Sequence, residues 1–247
     1  MDSEKQQSRG IYLLPNLFTT AGLFAGFYAI IAAIRGDFEP AAAAIFIAMV
    51  MDGLDGRIAR MTNTQSAFGA EYDSLADMVS FGLAPALVIF LCALLDMGKV
   101  GWMVAFIYAA CGALRLARFN TQIGNQDKRY FQGLPSPAAA ACLAGWVWVA
   151  TDSGLEPASI AWVALPLTFL CGVLMVSTVR YHSFKELNLQ GKVPFIVMLA
   201  LVLIFALVAT DPPRVLFGGF ILYAVSGPVL TLMQIRQHRT ARHNDSE

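Results

Sequence analysis

Long apolar stretches separated by short polar breaks set the pattern of this chain. A helix needs about 20 apolar residues to cross a bilayer. On that scale the sequence predicts helices at residues 14–34, 39–60, 69–95, 100–120, 136–151, 158–178, 194–210 and 214–235. The breaks carry turn-forming residues, as in Arg35-Gly-Asp37, Asp96-Met-Gly-Lys99, Asp152-Ser-Gly154 and Asp211-Pro-Pro213. The fifth stretch is short, and its start falls at Pro135 or Pro137. The first is too long for a signal-peptide core and lacks a small-residue cleavage site, so it is expected to stay in the membrane. The expected fold class is all-α: a polytopic membrane helix bundle of about eight transmembrane helices. It forms one domain over residues 1–247, with flexible tails at 1–10 and 238–247.

Composition agrees with that pattern. The chain is 57% hydrophobic and 14% charged, with a mean hydropathy of +0.60, which separates it from soluble domains. Its formal net charge is zero, so nothing draws it to nucleic acid in bulk. Cys92, Cys111, Cys142 and Cys171 each stand alone in apolar sequence, without C-x-x-C spacing, and read as buried packing residues.

Charge then orients the helices. With both termini on one side, that side collects Lys5, Arg9, Arg57, Arg60, Arg115, Arg118, Lys128, Arg129, Arg180, Lys185, Lys192, Arg236, Arg239 and Arg242. The other side keeps only Arg35, Lys99 and Arg214. Positive charge marks the cytoplasmic face, so both termini are expected there. An odd number of spans would scramble the segregation.

Against this background four aspartates stand out. They lie in Asp52-Gly-Leu-Asp55-Gly56-Arg57-Ile-Ala59-Arg60 and, eight residues on, Gly69-Ala-Glu71-Tyr-Asp73-Ser-Leu-Ala-Asp77. A carboxylate near the membrane centre costs about 2.5–3.5 kcal/mol on insertion scales, so four require compensating positive charge. On helices, Asp52 and Asp55 share a face, as do Asp73 and Asp77. Two such faces meeting across a hairpin turn at residues 61–68 would form an all-oxygen cage at the cytoplasmic ends of helices two and three. Hard oxygens without His or Cys favour Mg²⁺, Mn²⁺ or Ca²⁺ over zinc. Two such ions suit phosphoryl transfer, because they clamp the attacking and leaving oxygens. Gly56, Ala59 and Gly69 leave helix surface bare for a nucleotide diphosphate, and Arg57 and Arg60 fit phosphate oxygens.

Other readings stay open for the flanking residues. Arg57 and Arg60 also fit as boundary charges, and Gly56 and Gly69 as helix-packing glycines. Glu71 falls off the face of Asp73 and Asp77 and reads as a partner for an arginine. Gly22 and Gly26 have the G-x-x-x-G spacing of close helix contacts, between two chains or within one.

The pattern D-x2-D-G-x2-A-R-x8-G-x3-D-x3-D is filled at every fixed position from Asp52 to Asp77, and in this the chain resembles the CDP-alcohol phosphatidyltransferases. Three further stretches resemble the serine-using, integral-membrane bacterial branch: Leu14-Pro15-Asn16-Leu-Phe-Thr19-Thr20, Ser80-Phe-Gly-Leu-Ala-Pro85, and Ala113-Leu-Arg115-Leu-Ala-Arg118-Phe-Asn120 with Phe131-Gln-Gly133-Leu-Pro135-Ser136-Pro137. The likeness covers residues 12 to about 180.

The resemblance implies transfer of a phosphatidyl group from CDP-diacylglycerol to L-serine, releasing CMP. It implies two Mg²⁺ or Mn²⁺ ions, with Asp52, Asp55 and Asp73 as ligands. Asp77 would share in the second metal and serve as general base for the serine hydroxyl. Asn16, Thr19, Gly56, Ala59, Arg60 and Gly69 would line the CMP pocket. Arg115 and Arg118, one turn apart, fit the serine carboxylate and the lipid phosphate, with Asn120, Gly133 and Ser136 nearby, and fit equally well as charges that mark the cytoplasmic boundary. Family likeness further implies a homodimer in the bacterial inner membrane. Tyr181, His182 and Lys185 read as interfacial anchors. The aspartates do not choose between serine, glycerol 3-phosphate and inositol; the region from Arg115 to Pro137 does. A polyprenyl transferase would lack the G-x2-A-R and G-x3-D spacings, and an ion-coupled transporter would carry its carboxylates nearer the midplane.

Overall fold

The structure is a computed structural model that describes residues 9–62, 64–121, 130–182 and 195–244. Eight helices appear among the described residues, close to the predicted ranges. They are α1 (Arg9–Ile34), α2 (Phe38–Thr62), α3 (Ala67–Met97), α4 (Lys99–Thr121), α5 (Ser136–Asp152), α6 (Pro157–Val176), α7 (Phe195–Thr210) and α8 (Pro212–Asn244). The class is all-α, as expected. By length and composition five helices qualify as membrane spans: Leu13–Ile34, Ala67–Met97, Lys99–Thr121, Ser159–Val176 and Pro212–Met233. Of the others, α5 has 17 residues and α7 has 16 described residues, at the short end of a crossing. Helix α2 ends in the charged motif.

Small residues decide how the helices pack. Helix α5 is the hub, touching α2, α3, α6 and α8, and its run Ala138–Gly145 is buried throughout. A Cβ on Gly145 would stand 3.1 Å from Phe217 of α8, so bare backbone sets that approach. Gly22 and Gly26 are also used inside the chain. Gly22 faces Ala48 and Met51 of α2, and Gly26 abuts Ser80 of α3, whose hydroxyl donates to the Gly22 carbonyl at 3.1 Å. Cys92, Cys142 and Cys171 are buried and Cys111 is half-buried, in line with their reading as packing residues.

Helix α3 is not regular. After Asp77 it widens to a π-helix over Met78–Leu83, returns to α, and widens again over Phe90–Leu94. The first wide turn includes Phe81, whose carbonyl accepts from the buried Tyr108 hydroxyl of α4 at 3.0 Å. Such bulges concentrate at functional sites.

One element escaped the sequence pattern. Strands β1 (Tyr130–Gln132) and β2 (Arg180–His182) pair antiparallel, with Phe131 opposite Tyr181. This ribbon joins the chain entering α5 to the chain leaving α6. Gly133 (φ 77°) follows β1, and its N–H donates to Val179 O at 2.8 Å. Tyr181 is fully buried and its hydroxyl donates to Ala224 O of α8 at 2.9 Å, so it anchors the ribbon in protein rather than at the membrane interface. The remaining charges read as cytoplasmic at Lys5, Lys128, Arg129, Lys185 and Lys192 lie outside the described residues. Helix α8 continues to Asn244, so residues 238–244 are helical where a tail was expected.

Candidate active site

The N-terminal halves of α1 and α3 and the C-terminal half of α2 enclose a cleft lined by Thr19, Asp52, Asp55, Asp73, Asp77 and Ser80, with apolar residues among them. The last turns of α2 carry Asp52 and Asp55, and the hairpin closes at Ser66, whose hydroxyl caps α3 by accepting from Gly69 N at 3.0 Å. A cap of this kind fixes where α3 begins and so where Asp73 and Asp77 point.

Asp52, Asp55 and Asp73 converge, with one oxygen of each within 4.8 Å of the other two. Asp77 lines the same cleft without joining that tight group. Three carboxylates from two helices give an all-oxygen, anionic donor set, which fits a hard divalent cation. Asp55 is 5% exposed, and Thr19 of α1 donates to its Oδ2 at 2.8 Å. Glu71 is exposed and lies outside the cluster.

The residues assigned to a nucleotide pocket surround the same mouth. A Cβ on Gly69 would stand 3.5 Å from Asn16 Oδ1, which sets α1 against the start of α3. A Cβ on Gly56 would stand 3.5 Å from Arg60 Nη1, so the bare glycine surface lies beneath the Arg60 guanidinium. Ala59 is half-buried. Tyr72, which sequence reasoning passed over, meets the Thr20 hydroxyl at 2.9 Å and stacks on Phe68 with ring centres 6.0 Å apart. It occupies a variable position of the motif, so nothing in the sequence singled it out.

The residues assigned to serine and lipid phosphate divide into two groups. Arg115 donates from Nη1 to Ser136 Oγ at 2.9 Å, while its Nε is buried without a hydrogen-bond partner. A guanidinium with a donor to spare is suited to an incoming anion. Arg118 instead holds the ribbon, donating from Nη2 to Gln132 Oε1 at 2.8 Å and from Nη1 to Val176 O at 3.4 Å. Asn120 pairs with Ser74 of α3 through Nδ2 at 3.1 Å, tying α4 to the helix that carries Asp73. Gly133 is buried in the ribbon turn, where a Cβ would meet the Met175 carbonyl. These last three act as structural ties around the cleft. Gln132 and Ser74 could be found only from the fold, because their partners lie 14 and 46 residues away.

The sequence profile of the CDP-alcohol phosphatidyltransferases matches residues 12–174, which span the cleft and its motif. The chain belongs to that family. It is 36% identical over 225 residues to a CDP-diacylglycerol–serine O-phosphatidyltransferase of Helicobacter pylori (strain J99), covering 91% of this chain and 94% of that protein. A protein of the same name from Methanocaldococcus jannaschii is 38% identical over 142 residues, 58% of this chain and 63% of that one. An archaetidylserine synthase of Methanothermobacter thermautotrophicus is 34% identical over 170 residues, 68% of this chain and 69% of that one. The CDP-alcohol phosphatidyltransferases are divalent-metal dependent, which agrees with the acidic cluster. With five apolar helices, this member is a multi-pass membrane protein.

Proposed function

We propose that the chain is a metal-dependent enzyme that transfers the phosphatidyl group of CDP-diacylglycerol to L-serine, yielding phosphatidylserine and CMP. The observation that carries this reading is the convergence of Asp52, Asp55 and Asp73 inside a complete CDP-alcohol phosphatidyltransferase motif. The named relatives support serine as the acceptor: the lipid part differs between a CDP-diacylglycerol–serine O-phosphatidyltransferase and an archaetidylserine synthase, whereas serine is common to both names.

In this reading Asp52, Asp55 and Asp73 hold two divalent ions, Mg²⁺ or Mn²⁺, with Asp77 contributing to one. When bound, such ions neutralise the diphosphate and favour charge build-up on departing CMP. Asn16, Gly56, Ala59, Arg60 and Gly69 form the walls against which CMP rests. Arg115, steadied by Ser136, takes the serine carboxylate through its remaining donors. Asp77 accepts the proton of the serine hydroxyl as that oxygen bonds to the diacylglycerol-bearing phosphorus and the bond from phosphorus to the CMP oxygen breaks. Both termini and the cleft face the cytoplasm of a bacterial inner membrane, by the distribution of Lys and Arg. The enzyme acts as a single-domain homodimer whose interface is not the Gly22–Gly26 face, since those glycines are buried within the chain.

The test supplies purified protein with CDP-diacylglycerol and, separately, serine, glycerol 3-phosphate and inositol, and identifies lipid products by mass spectrometry. Phosphatidylserine and CMP are expected with serine alone. Product formed only with another alcohol overturns the serine assignment, and no CMP release with any alcohol overturns the transfer reaction. Asp77→Asn should lower turnover about 10²- to 10⁴-fold. Cysteines placed in the 61–68 turn and near Asp152 should label from opposite sides, the first from the cytoplasm; the reverse pattern overturns the orientation.

A further inference from the structure

We infer that Thr19 is a positioning residue for metal binding: its hydroxyl fixes the Asp55 carboxylate in the orientation the acidic cluster needs. The inference rests on the reading of Asp52, Asp55 and Asp73 as the metal seat and gives Thr19 a different task from lining the CMP pocket.

Thr19 and Asp55 are each 5% exposed, and the hydroxyl stands 2.8 Å from Asp55 Oδ2. The same hydroxyl lies 3.2 Å from the Pro15 carbonyl, one turn back in α1. The hydroxyl has one proton for these two acceptors, and the stiff β-branched rotamer that places it over the carbonyl four residues earlier also aims it at Asp55. The shorter contact is to the carboxylate, where a charged acceptor gives the stronger bond. The Thr19 bond to Oδ2 acts with a hydrogen bond between the Gly56 backbone and the same carboxyl to limit its rotation and so set the direction of Oδ1.

The sequence builds this contact through helix packing. Gly22 lies three residues after Thr19, and its bare backbone lets α1 approach Ala48 and Met51 of α2 closely. That close approach brings a short side chain of α1 within bonding distance of Asp55. Alanine in place of Thr19 would leave Oδ2 without this donor, and valine would fill the volume without it. The Asp52 and Asp73 oxygens within 4.8 Å need Asp55 held on their side against mutual repulsion. Partners that orient a metal ligand typically change metal affinity 10- to 100-fold when removed.

The experiment titrates the full chain in detergent micelles with Mn²⁺ alone and reads free Mn²⁺ by electron paramagnetic resonance. Wild type is expected to bind. Thr19→Val is expected to weaken binding about 10- to 100-fold, while Thr19→Ser, which keeps the hydroxyl, stays near wild type. In an Asp55→Asn background, Thr19→Val should add little further loss, because the partner is already changed. Melting in EDTA monitors folding, and Thr19→Ala gives a second hydroxyl deletion if the valine variant does not fold. Wild-type affinity in the hydroxyl-deleted variants overturns the inference, as does a loss that serine fails to restore. Absence of Mn²⁺ binding by wild type is a separate outcome: it overturns the metal reading itself, and the inference with it.

Discussion

Replacing Gly26 with alanine tests the packing that brings the three site helices together. The added Cβ would stand 2.5 Å from Ser80 Oγ, 2.7 Å from Ser80 Cα and 2.9 Å from Ser80 Cβ. One of these is backbone, so rotating the serine side chain cannot clear the clash, and α1 and α3 must separate. Overpacking of this kind costs about 1–3 kcal/mol. Separation also strains the Ser80 bond to the Gly22 carbonyl, now 3.1 Å long, worth about 0.5–1.5 kcal/mol. Alanine's better helix propensity returns up to about 1 kcal/mol. The net loss is about 1–3 kcal/mol, and at roughly 2–4 °C per kcal/mol for a chain of this size, melting should fall by about 2–12 °C.

A thiol-reactive fluorogenic dye suits the assay, because Cys92, Cys142 and Cys171 are buried and become accessible on unfolding. Gly218→Ala is the control: a Cβ there meets nothing within 4 Å, so its melting temperature should hold or rise. Ser80 lies one turn beyond Asp77 and lines the same cleft, so Gly26→Ala should also lower turnover. An unchanged melting temperature in Gly26→Ala, or an equal fall in Gly218→Ala, would refute the close-contact argument.

Two further expectations concern other parts of the fold. Tyr181→Phe removes the hydroxyl that reaches Ala224 O while keeping the ring against Gly227, so stability should fall by about 0.5–1.5 kcal/mol; unchanged melting would mean that the ribbon is held without this bond. On the opposite face, Arg214 donates to Asp211 and also meets Asp152 at 3.1 Å, and its hydrogen bond lowers the Asp211 pKa. A carboxyl whose folded pKa is depressed stabilises the fold above its unfolded pKa and loses that contribution as pH falls through the folded value. Any stability advantage of wild type over Asp211→Asn should therefore hold from neutral pH to about pH 5 and fade below about pH 4; an advantage that grows on acidification would show the sign to be wrong.

The helix boundaries were legible because each apolar run has about the length of a bilayer crossing and is closed by Gly, Pro or charge. Prediction and structure agree to within two residues at the start of seven of the eight helices, for example 136–151 against Ser136–Asp152. The acidic site was legible because its carboxylates sit on two adjacent helices joined by a short turn, so spacing along the sequence nearly determines spacing in space. The role of each arginine was not. Arg115 and Arg118 are equal as sequence, one turn apart on one helix. They differ because Ser136 opens α5 and Gln132 ends β1, and the chain between them folds back onto α4. A ribbon that short has no periodicity to detect. The first wide turn of α3 was hidden for a similar reason: its Phe81 carbonyl accepts from Tyr108, 27 residues away.

The acidic cluster carries a consequence for stability that separates a metal seat from a chance gathering of carboxylates. Oxygens of Asp52, Asp55 and Asp73 lie within 4.8 Å of one another, and at an effective dielectric of about 20 each ionised pair repels by about 3.5 kcal/mol or more. The fold holds them together because Gly22, Gly26 and the Ser66 cap fix the helices that carry them. Without metal, that repulsion opposes folding. Asp73→Asn removes the two pairwise repulsions involving Asp73 while preserving its shape, so in EDTA this variant should melt above wild type. Added Mn²⁺ should reverse the order. A ligand at about a hundredfold above its Kd stabilises the folded state by about 2.7 kcal/mol, a rise of roughly 5–10 °C for wild type, and the variant, with one charged ligand fewer, should gain much less. Turnover should fall in Asp73→Asn at every metal concentration, although the variant is the more stable protein in chelator. Equal melting of the two proteins in EDTA, or an equal Mn²⁺ response in both, would mean that these carboxylates neither strain the metal-free fold nor seat the ion.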